Sequence, residues 1–278
     1  MRSRHFALVA AVLATAGGLA VIPSILKAVT DSMLFHPTRG QSHTPADADT
    51  AFEDLRIEGE DGVRVQAWWI PADRTAPGLT VLHFHGNAGS IADRLPVYLD
   101  LQRAGVHVLA SEYRGYGDSE GTPSEVGLLG DGRAAYREAL RRAQTTGDRL
   151  VIAGRSLGGA VAIRTAADAD PGTVAGVWVE STFTDLATMA GRTLPLGARL
   201  VAYSFDSLGV VDRIDAPMLV LHGDRDTLIP HPHGRALADR ALDARFVLLP
   251  GADHNVTPPP AAEIQAEALR NFLEEVSR

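Results

Sequence analysis

The sequence predicts an α/β fold whose sheet is mostly parallel. Short apolar runs alternate with helix-length segments along the chain, which is the order expected of strands joined by helical crossovers. Hydrophobic residues make up 45% and charged residues 22% of the 278 residues, a composition typical of a packed globular protein. An α/β chain of this length commonly folds as one domain.

Eight apolar runs are predicted to be strands. The first two are joined by Glu60-Asp61-Gly62, a hairpin signal, whereas helix-sized stretches separate the later ones. We therefore expect an antiparallel edge that leads into a parallel part of an eight-stranded sheet, with helices on both faces. In chain order, the runs are Ala51–Ile57, Val63–Ile70, Leu79–Phe84, Val106–Ser111, Arg149–Ala153, Val174–Val179, Met218–Leu221 and Arg245–Leu249.

Residues 1–30 are predicted to be a membrane anchor or an export signal. Arg2 and Arg4 precede an uncharged run, Phe6–Leu26, which reaches the length of about 20 residues that a helix needs to cross a bilayer. The strongest part of this run also has the length of a signal-peptide core. We favour an uncleaved single-pass anchor because the apolar character continues to Leu26, and the positive-inside tendency then places the rest of the chain outside. Cleavage and secretion is the alternative.

Residues 31–278 are predicted to form the folded domain. The stretch Phe183–Asp212, between two strands, is expected to be a small helical cap that is too short for a large lid. The apolar side chains of this cap could line a pocket for an acyl chain or pack onto the sheet. A last helix is expected to pack against the core through an apolar stripe at helical spacing, formed by Ile264, Leu269, Phe272, Leu273 and Val276.

A serine turn follows the fifth predicted strand. Gly154-Arg155-Ser156-Leu157-Gly158 matches G-x-S-x-G, and a helix of small residues comes directly after it. A tight strand-to-helix turn needs glycines on both sides of the serine, because neighbouring backbone lies close to it. Ser156 is therefore the predicted nucleophile, placed at a helix N-terminus that favours developing negative charge.

A serine hydroxyl needs a base within hydrogen-bond reach and a carboxylate that orients the base. In the chain order Ser, Asp, His, the candidates are Asp226 and His254, each on a loop after a predicted strand. Two other carboxylates could take the role of the acid. Asp224 is nearer the strand end and could instead cap the turn, and Glu180 follows another strand.

The oxyanion of an acyl-transfer intermediate needs two N–H donors that point to one place. Leu157, which follows the nucleophile, supplies the first donor. Asn87, in the small-residue loop His85–Gly89, is the predicted second donor. His85 is expected to brace this loop from a buried position, and His83 belongs to the opposite face of its strand.

No metal, cofactor or nucleic acid is expected as a partner. The histidines and aspartates within 83–85 and 222–226 lack a recognised metal-site spacing, and a metal would leave the serine turn unexplained. His231 and His233 lie at a proline-flanked helix start and are predicted to be surface residues. The glycine-rich stretch 114–121 is not a nucleotide motif. The lack of cysteine excludes a thiolate nucleophile, and the net charge of −8 excludes a generally basic nucleic-acid binder.

Six motifs occur in order along the chain: His85–Asn87, Tyr113–Ser119, Gly121–Glu125, Gly154–Gly158, His222–Asp226 and Gly251–His254. Together these motifs resemble the membrane-anchored ABHD-type α/β-hydrolases, a family of serine esterases, lipases and thioesterases. The resemblance extends from Leu34 to the C-terminus. It implies the α/β-hydrolase fold and the same nucleophile, acid, base and oxyanion donors that the residues themselves suggest. Glu112 departs from the aspartate that is common before the Tyr-Arg-Gly run, at a supporting position.

The expected activity is hydrolysis of a carboxylic ester or thioester, a small-molecule acyl substrate, through an acyl-enzyme. A serine peptidase or amidase on the same fold is one alternative. The other is a catalytically silent hydrolase fold that serves as a membrane-tethered binding module.

Overall fold

The computed structural model describes residues 24, 26–73, 78–193 and 201–278. An eight-stranded sheet runs through this part of the chain, and each predicted strand is present close to its expected bounds. The strands are β1 (Glu53–Glu58), β2 (Arg64–Ile70), β3 (Leu79–Phe84), β4 (His107–Ser111), β5 (Arg149–Arg155), β6 (Val174–Glu180), β7 (Met218–Gly223) and β8 (Ala244–Leu249).

The order of strands across the sheet is β8-β7-β6-β5-β3-β4-β2-β1. β2 runs antiparallel to its neighbours β1 and β4, whereas the other neighbouring pairs are parallel. The predicted antiparallel edge and parallel sheet are therefore confirmed. Because parallel strands end at the same edge, the loops after β3, β5, β6, β7 and β8 meet along the carboxyl edge of the sheet.

Helices cover both faces of the sheet. They are α1 (Leu95–Arg103), α2 (Glu125–Thr146), α3 (Leu157–Ala167), α4 (Leu186–Thr193), α5 (Pro232–Arg240) and α6 (Pro259–Val276). α2 and α3 pack on one face with α5, while α1 and α6 pack on the other. α2 begins where the Ser124 hydroxyl accepts a hydrogen bond from the Gly127 N–H, and it ends at Gly147, whose φ of 78° suits glycine.

The apolar stripe of α6 differs from the expected one at its first position. Ile264 is 38% exposed, so the expectation that it packs against the core is wrong. The buried line begins instead at Ala261 and continues through Ala268 to Phe272, which leaves Ile264 beside the line. Further along the helix, Leu273 and Val276 are buried as expected.

The N-terminal part that the structure describes includes a helical segment over 26–34. Residues 1–23 and 25, which make up most of the predicted anchor or signal, lie outside the described residues. In the portion of the chain that is described, no helix combines the length and the apolar character needed to cross a bilayer. The anchor therefore stays a prediction.

The predicted cap, Phe183–Asp212, contains α4, and residues 194–200 lie outside the described part. Phe183, Phe205 and Val211 are buried in the core on the α2 and α3 face. Leu186 and Met189 of α4 are partly buried against the same cluster. These described side chains therefore pack onto the body of the protein, which was one of the two roles expected for the apolar residues of this stretch.

Candidate active site

Ser156 lies between β5 and α3 in a backbone conformation that L-residues rarely adopt. The serine has φ 55° and ψ −120°, and it is 7% exposed. Its N–H donates to the Glu180 carbonyl at 2.9 Å, and its carbonyl accepts the Thr182 hydroxyl at 2.8 Å. Backbone bonds on both sides therefore hold this conformation, which costs about 1–3 kcal/mol and recurs at functional sites.

The glycines around Ser156 are required by the space available. A Cβ on Gly154 would overlap the Gly158 carbonyl, and a Cβ on Gly158 would overlap the carbonyls of Phe84 and His85. The G-x-S-x-G pattern thus brings the start of α3 against the end of β3. This contact places Ser156 beside the loop that is predicted to donate to the oxyanion.

The loop after β3 lies against the serine turn, and two tyrosine hydroxyls donate hydrogen bonds to its backbone. A Cβ built on Gly86 would be 3.6 Å from the Ser156 Cβ. The hydroxyl of Tyr113 donates to the His85 carbonyl at 2.7 Å, and that of Tyr116 donates to the Asn87 carbonyl at 2.8 Å. These bonds hold the 85–86 and 87–88 peptide groups, which lie on either side of the 86–87 peptide that carries the Asn87 N–H. Asn87 and the first N–H of α3 therefore lie on the two elements that flank the serine.

His85 and Glu112 form a fully buried pair beneath this loop. The His85 Nε2 is 2.9 Å from the Glu112 Oε2, and both side chains are 0% exposed. The other Glu112 oxygen accepts the Ile91 N–H at 2.8 Å. The structure thus places His85 in a bracing position, and it explains Glu112 as the carboxylate that anchors the loop.

Asp226 and His254 are hydrogen-bonded to each other at the carboxyl edge. The His254 Nδ1 lies 2.8 Å from the Asp226 Oδ2. The other carboxylate oxygen, Oδ1, accepts the N–H groups of Leu228 at 3.0 Å and Ile229 at 2.8 Å. Asp226 is 5% and His254 is 9% exposed. Both oxygens of the carboxylate are therefore engaged, and one of them orients the imidazole.

A second histidine, His222, contacts the same carboxylate. Its Nε2 is 2.7 Å from the Ile229 carbonyl and 3.5 Å from the Asp226 Oδ2. A carbonyl can only accept, so Nε2 carries the proton and donates it to Ile229, with the Asp226 Oδ2 as a second, longer contact of the same N–H. Sequence reasoning considered His222 as a metal ligand and as part of the His222–Asp226 motif, and did not predict that it contacts the acid. Its position four residues before the predicted acid, at a strand end, is the signal that could have identified it.

The surroundings of Asp226 favour its charged form. Burial alone would raise the pKa of this carboxyl, but hydrogen bonds from His222, His254 and the Ile229 N–H outweigh burial and hold the pKa well below its usual range. An ionised Asp226 accepts the Nδ1–H of His254. This tautomer leaves the Nε2 of His254 as the basic nitrogen.

The two rival carboxylates have other partners. Asp224 accepts the Gly251 N–H at 2.7 Å, a bond that joins its loop to the loop after β8. Glu180 accepts the Gln265 side-chain amide at 2.8 Å, and burial raises the pKa of its carboxyl. The structure therefore brings Asp226, and neither rival, into the hydrogen bond with His254.

Arg155 links the serine turn to the histidine loop. Its guanidinium donates to the backbone carbonyl of His254, and its Nε lies 3.9 Å from the Glu180 carboxylate. Burial lowers the pKa of Arg155. The residue next to the predicted nucleophile thus contacts the residue predicted to be its base.

His83 and His233 are accounted for by packing. His83 contacts the rings of Tyr98 and Trp178 on the face opposite Ser156, and burial lowers its pKa to about 3. His233 is 5% exposed and bonds the Thr184 hydroxyl at 2.9 Å, so the prediction that it is a surface residue is wrong. The start of α5 turns this side chain inward. Among the described residues, no group of three metal-ligand side chains is arranged to hold an ion.

Comparison with known sequences gives consistent matches along most of the chain. The family profile described as "Serine aminopeptidase, S33" matches residues 75–211. The alpha/beta hydrolase domain-containing protein WAV2 of Arabidopsis thaliana is 32% identical over 93% of this chain and 92% of WAV2. The uncharacterized protein Rv2307c of Mycobacterium tuberculosis is 32% identical over 88% of this chain and 87% of its own length. Protein bem46 of Schizosaccharomyces pombe is 29% identical over 77% and 74%.

Solved structures share the fold. An esterase of Pyrococcus furiosus, Pf2001, matches with a TM-score of 0.72 at 23% identity, over 87% of this chain and 98% of the esterase. Est1E of Butyrivibrio proteoclasticus, solved with ferulic acid bound, matches with a TM-score of 0.64 at 19% identity, over 81% and 100%. Both support the architecture described above.

Proposed function

Because the chain belongs to the α/β hydrolase family, we propose that it is a serine hydrolase that cleaves carboxylic esters or thioesters. The hydrogen bond between His254 and Asp226, on loops beside the strained turn of Ser156, is the observation that carries this proposal. Small-molecule acyl compounds are the proposed substrates. The esterases with the same fold agree with this substrate class.

In the proposed reaction, the Ser156 hydroxyl attacks the acyl carbonyl while the Nε2 of His254 takes its proton. Asp226 stays ionised and stabilises the imidazolium that forms. The imidazolium then gives its proton to the leaving alcohol or thiol, which leaves an acyl-enzyme on Ser156. Water, activated by the same nitrogen, releases the acid and restores the serine.

The oxyanion of each tetrahedral intermediate is proposed to be bound by the N–H groups of Asn87 and Leu157. Leu157 is the first residue of α3, where N–H groups have no partner within the helix. The positive end of the helix adds to the stabilisation of negative charge. One such donor is worth about 3 kcal/mol to the transition state. The reaction as written requires no cofactor.

The test is covalent labelling combined with turnover. The purified chain should react with a fluorophosphonate at Ser156 and hydrolyse p-nitrophenyl esters, and Ser156→Ala should abolish both. A series of acyl lengths, measured on esters and on matched thioesters, then defines the substrate. Well-folded protein that is not labelled and does not turn over esters would overturn the proposal and favour a silent binding module.

Amide hydrolysis is the second candidate, since the matching family profile is described as a serine aminopeptidase. The same nucleophile, base and oxyanion donors would serve an amide substrate. Matched p-nitrophenyl ester and p-nitroanilide substrates with one acyl group separate the two candidates. A higher kcat/KM for the anilide would favour the peptidase.

We also propose that residues 1–30 tether the enzyme to a membrane as a single-pass anchor, with the hydrolase domain on the outer side. The uncharged run after Arg2 and Arg4 supports this proposal. Fractionation of cells should recover the protein with membranes and with an intact N-terminus. Recovery of a soluble form that begins near Gly17 would instead indicate a cleaved signal and secretion.

A further inference from the structure

Residues 30–38, here called the arm, comprise the end of the N-terminal helical segment and the extended chain that leads from it into the folded domain. Two of them are buried: Thr30 is 6% and Phe35 is 7% exposed. The Ala202 N–H donates to the Thr30 hydroxyl at 3.1 Å, and the Tyr203 hydroxyl donates to the Asp31 carboxylate. One end of the arm is therefore bonded to residues 201–205, at the end of the predicted cap.

The other end of the arm is bonded to the loop that carries Asn87. The side-chain amide of Asn87 donates to the Leu34 carbonyl at 2.9 Å, and the Asn87 carbonyl accepts the His36 N–H at 2.9 Å. Two residues further along the loop, the Gly89 carbonyl accepts the Thr38 N–H at 3.0 Å. The arm thus runs parallel to the loop as a short additional strand, with His36 paired to Ala88.

These bonds restrain Asn87 at two of its polar groups. Its side-chain NH₂ and its carbonyl form hydrogen bonds with the arm, and the Tyr116 hydroxyl donates a second hydrogen bond to the same carbonyl. None of these bonds uses the backbone N–H of Asn87, the group proposed to meet the oxyanion. A plain connecting segment would need no such bonds. They hold the Asn87 side chain and the 87–88 peptide, and thereby limit how far the preceding 86–87 peptide, which carries the N–H, can turn.

We propose that the arm is a positioning element of the oxyanion hole and that it couples this hole to residues 201–205. Asn87 is the point of contact with the substrate, and Thr30, Asp31 and Tyr203 act through it. The inference rests on the proposed function, because it assigns a purpose to the arm only if Asn87 binds an oxyanion. On this proposal, the arm, which follows the N-terminal apolar run, helps to position the catalytic groups.

The test uses substitutions in the full-length chain. Asn87→Ala removes the amide donor to the Leu34 carbonyl but keeps the backbone N–H of residue 87, and Thr30→Val removes the acceptor used by Ala202. We expect kcat to fall at least about tenfold in the first and about threefold in the second, with KM within about twofold, because misplacing an oxyanion donor forfeits part of its 10²–10³-fold effect. Thr30→Ser, which keeps the hydroxyl, should restore kcat.

Inhibition by phenylboronic acid, which forms a tetrahedral anionic adduct with an active serine, gives a readout specific to the oxyanion. Its inhibition constant should rise in parallel with the loss of kcat. Tyr203→Phe should behave like Thr30→Val. Tyr136→Phe is the matched control, because it also removes one tyrosine hydroxyl from a hydrogen bond. That bond, between Tyr136 and Thr173 at 2.6 Å, lies away from the serine turn.

Two outcomes separate this inference from the proposed function. If the unaltered chain is neither labelled by a fluorophosphonate nor active on esters, the proposed function fails and the inference fails with it. If the unaltered chain is active but the arm variants lower only Tm, while kcat and boronate inhibition stay unchanged, the arm is merely structural. That result overturns the inference and leaves the proposed function intact.

Discussion

The serine turn and the acid–base pair are held in place by different forces. Ser156 owes its position to backbone packing, since Gly154 and Gly158 admit carbonyl groups where any side chain would overlap them. His254 and Asp226 owe theirs to hydrogen bonds made by side chains from several loops. The turn should therefore respond to changes in volume, whereas the pair should respond to changes in charge and pH.

Removing the charge of Asp226, the proposed acid, is expected to have the largest effect. Asp226→Asn keeps the shape of the side chain but no longer favours the His254 tautomer that leaves Nε2 basic. We expect kcat for ester hydrolysis to fall by about 10⁴-fold with little change in the fold. Asp224→Asn is the matched control on the same loop and should stay near the unaltered rate. Equal losses in the two variants would contradict the assignment of the acid.

The turn is tested by adding a single carbon. Gly158→Ala forces a Cβ into the carbonyls of Phe84 and His85, and such overpacking typically costs about 1–3 kcal/mol, which lowers Tm by at least about 2–4 °C in a protein of this size. Fluorophosphonate labelling of Ser156 should also slow, because the turn must shift. Both effects should persist at every pH.

Gly130→Ala provides the control for this change. Gly130 also lies in a helix, but a Cβ there would meet its nearest atoms, the guanidinium groups of Arg114 and Arg133, at 3.8 Å. Alanine favours a helix over glycine by up to about 1 kcal/mol. Tm should therefore stay equal or rise in Gly130→Ala. A fall in Tm as large as that of Gly158→Ala would mean that packing at the serine turn has no special role.

The acid–base pair should show a pH dependence that the turn lacks. Asp226 has a pKa held below its ordinary value of 3.8, so its contribution to stability is complete above that value and is lost as pH falls through the depressed pKa. The difference in Tm between the unaltered chain and Asp226→Asn should thus be largest near neutral pH and narrow in acid. A difference in Tm that stayed constant with pH would show that the surroundings of Asp226 do not favour its ionised form.

The same contrast explains how much could be predicted from the sequence. The serine turn could be predicted because its determinants are a few adjacent residues whose size alone matters. Chain order and loop position favoured Asp226 over Glu180 as the acid, but only the structure shows which loop reaches His254. His233 was placed wrongly because Thr184, which contacts it, is 49 residues away.

The arm lay beyond sequence reasoning for a related reason. Its bonds join residues 53 and 172 positions apart, Leu34 to Asn87 and Thr30 to Ala202, and both use backbone groups that every residue type supplies. Apolar periodicity predicts which elements form and which face is buried. Apolar periodicity does not predict which backbone carbonyl will accept a hydrogen bond from an amide that is distant in the sequence.

The smallest expected effect concerns Glu180, the carboxylate that lies next to Arg155. Glu180→Gln keeps an acceptor for Gln265 and removes only the charge 3.9 Å from Arg155. The Glu180 side chain contacts Gln265 and Arg155 and acts on His254 only through Arg155, so we expect its charge to contribute about 1 kcal/mol to the barrier, a factor of about five in rate. We therefore expect kcat within about fivefold of the unaltered chain, measured beside Asp226→Asn with one substrate. A loss as large as that of Asp226→Asn would make Glu180 part of the proton relay, because a carboxylate that only supports Arg155 could not have so large an effect.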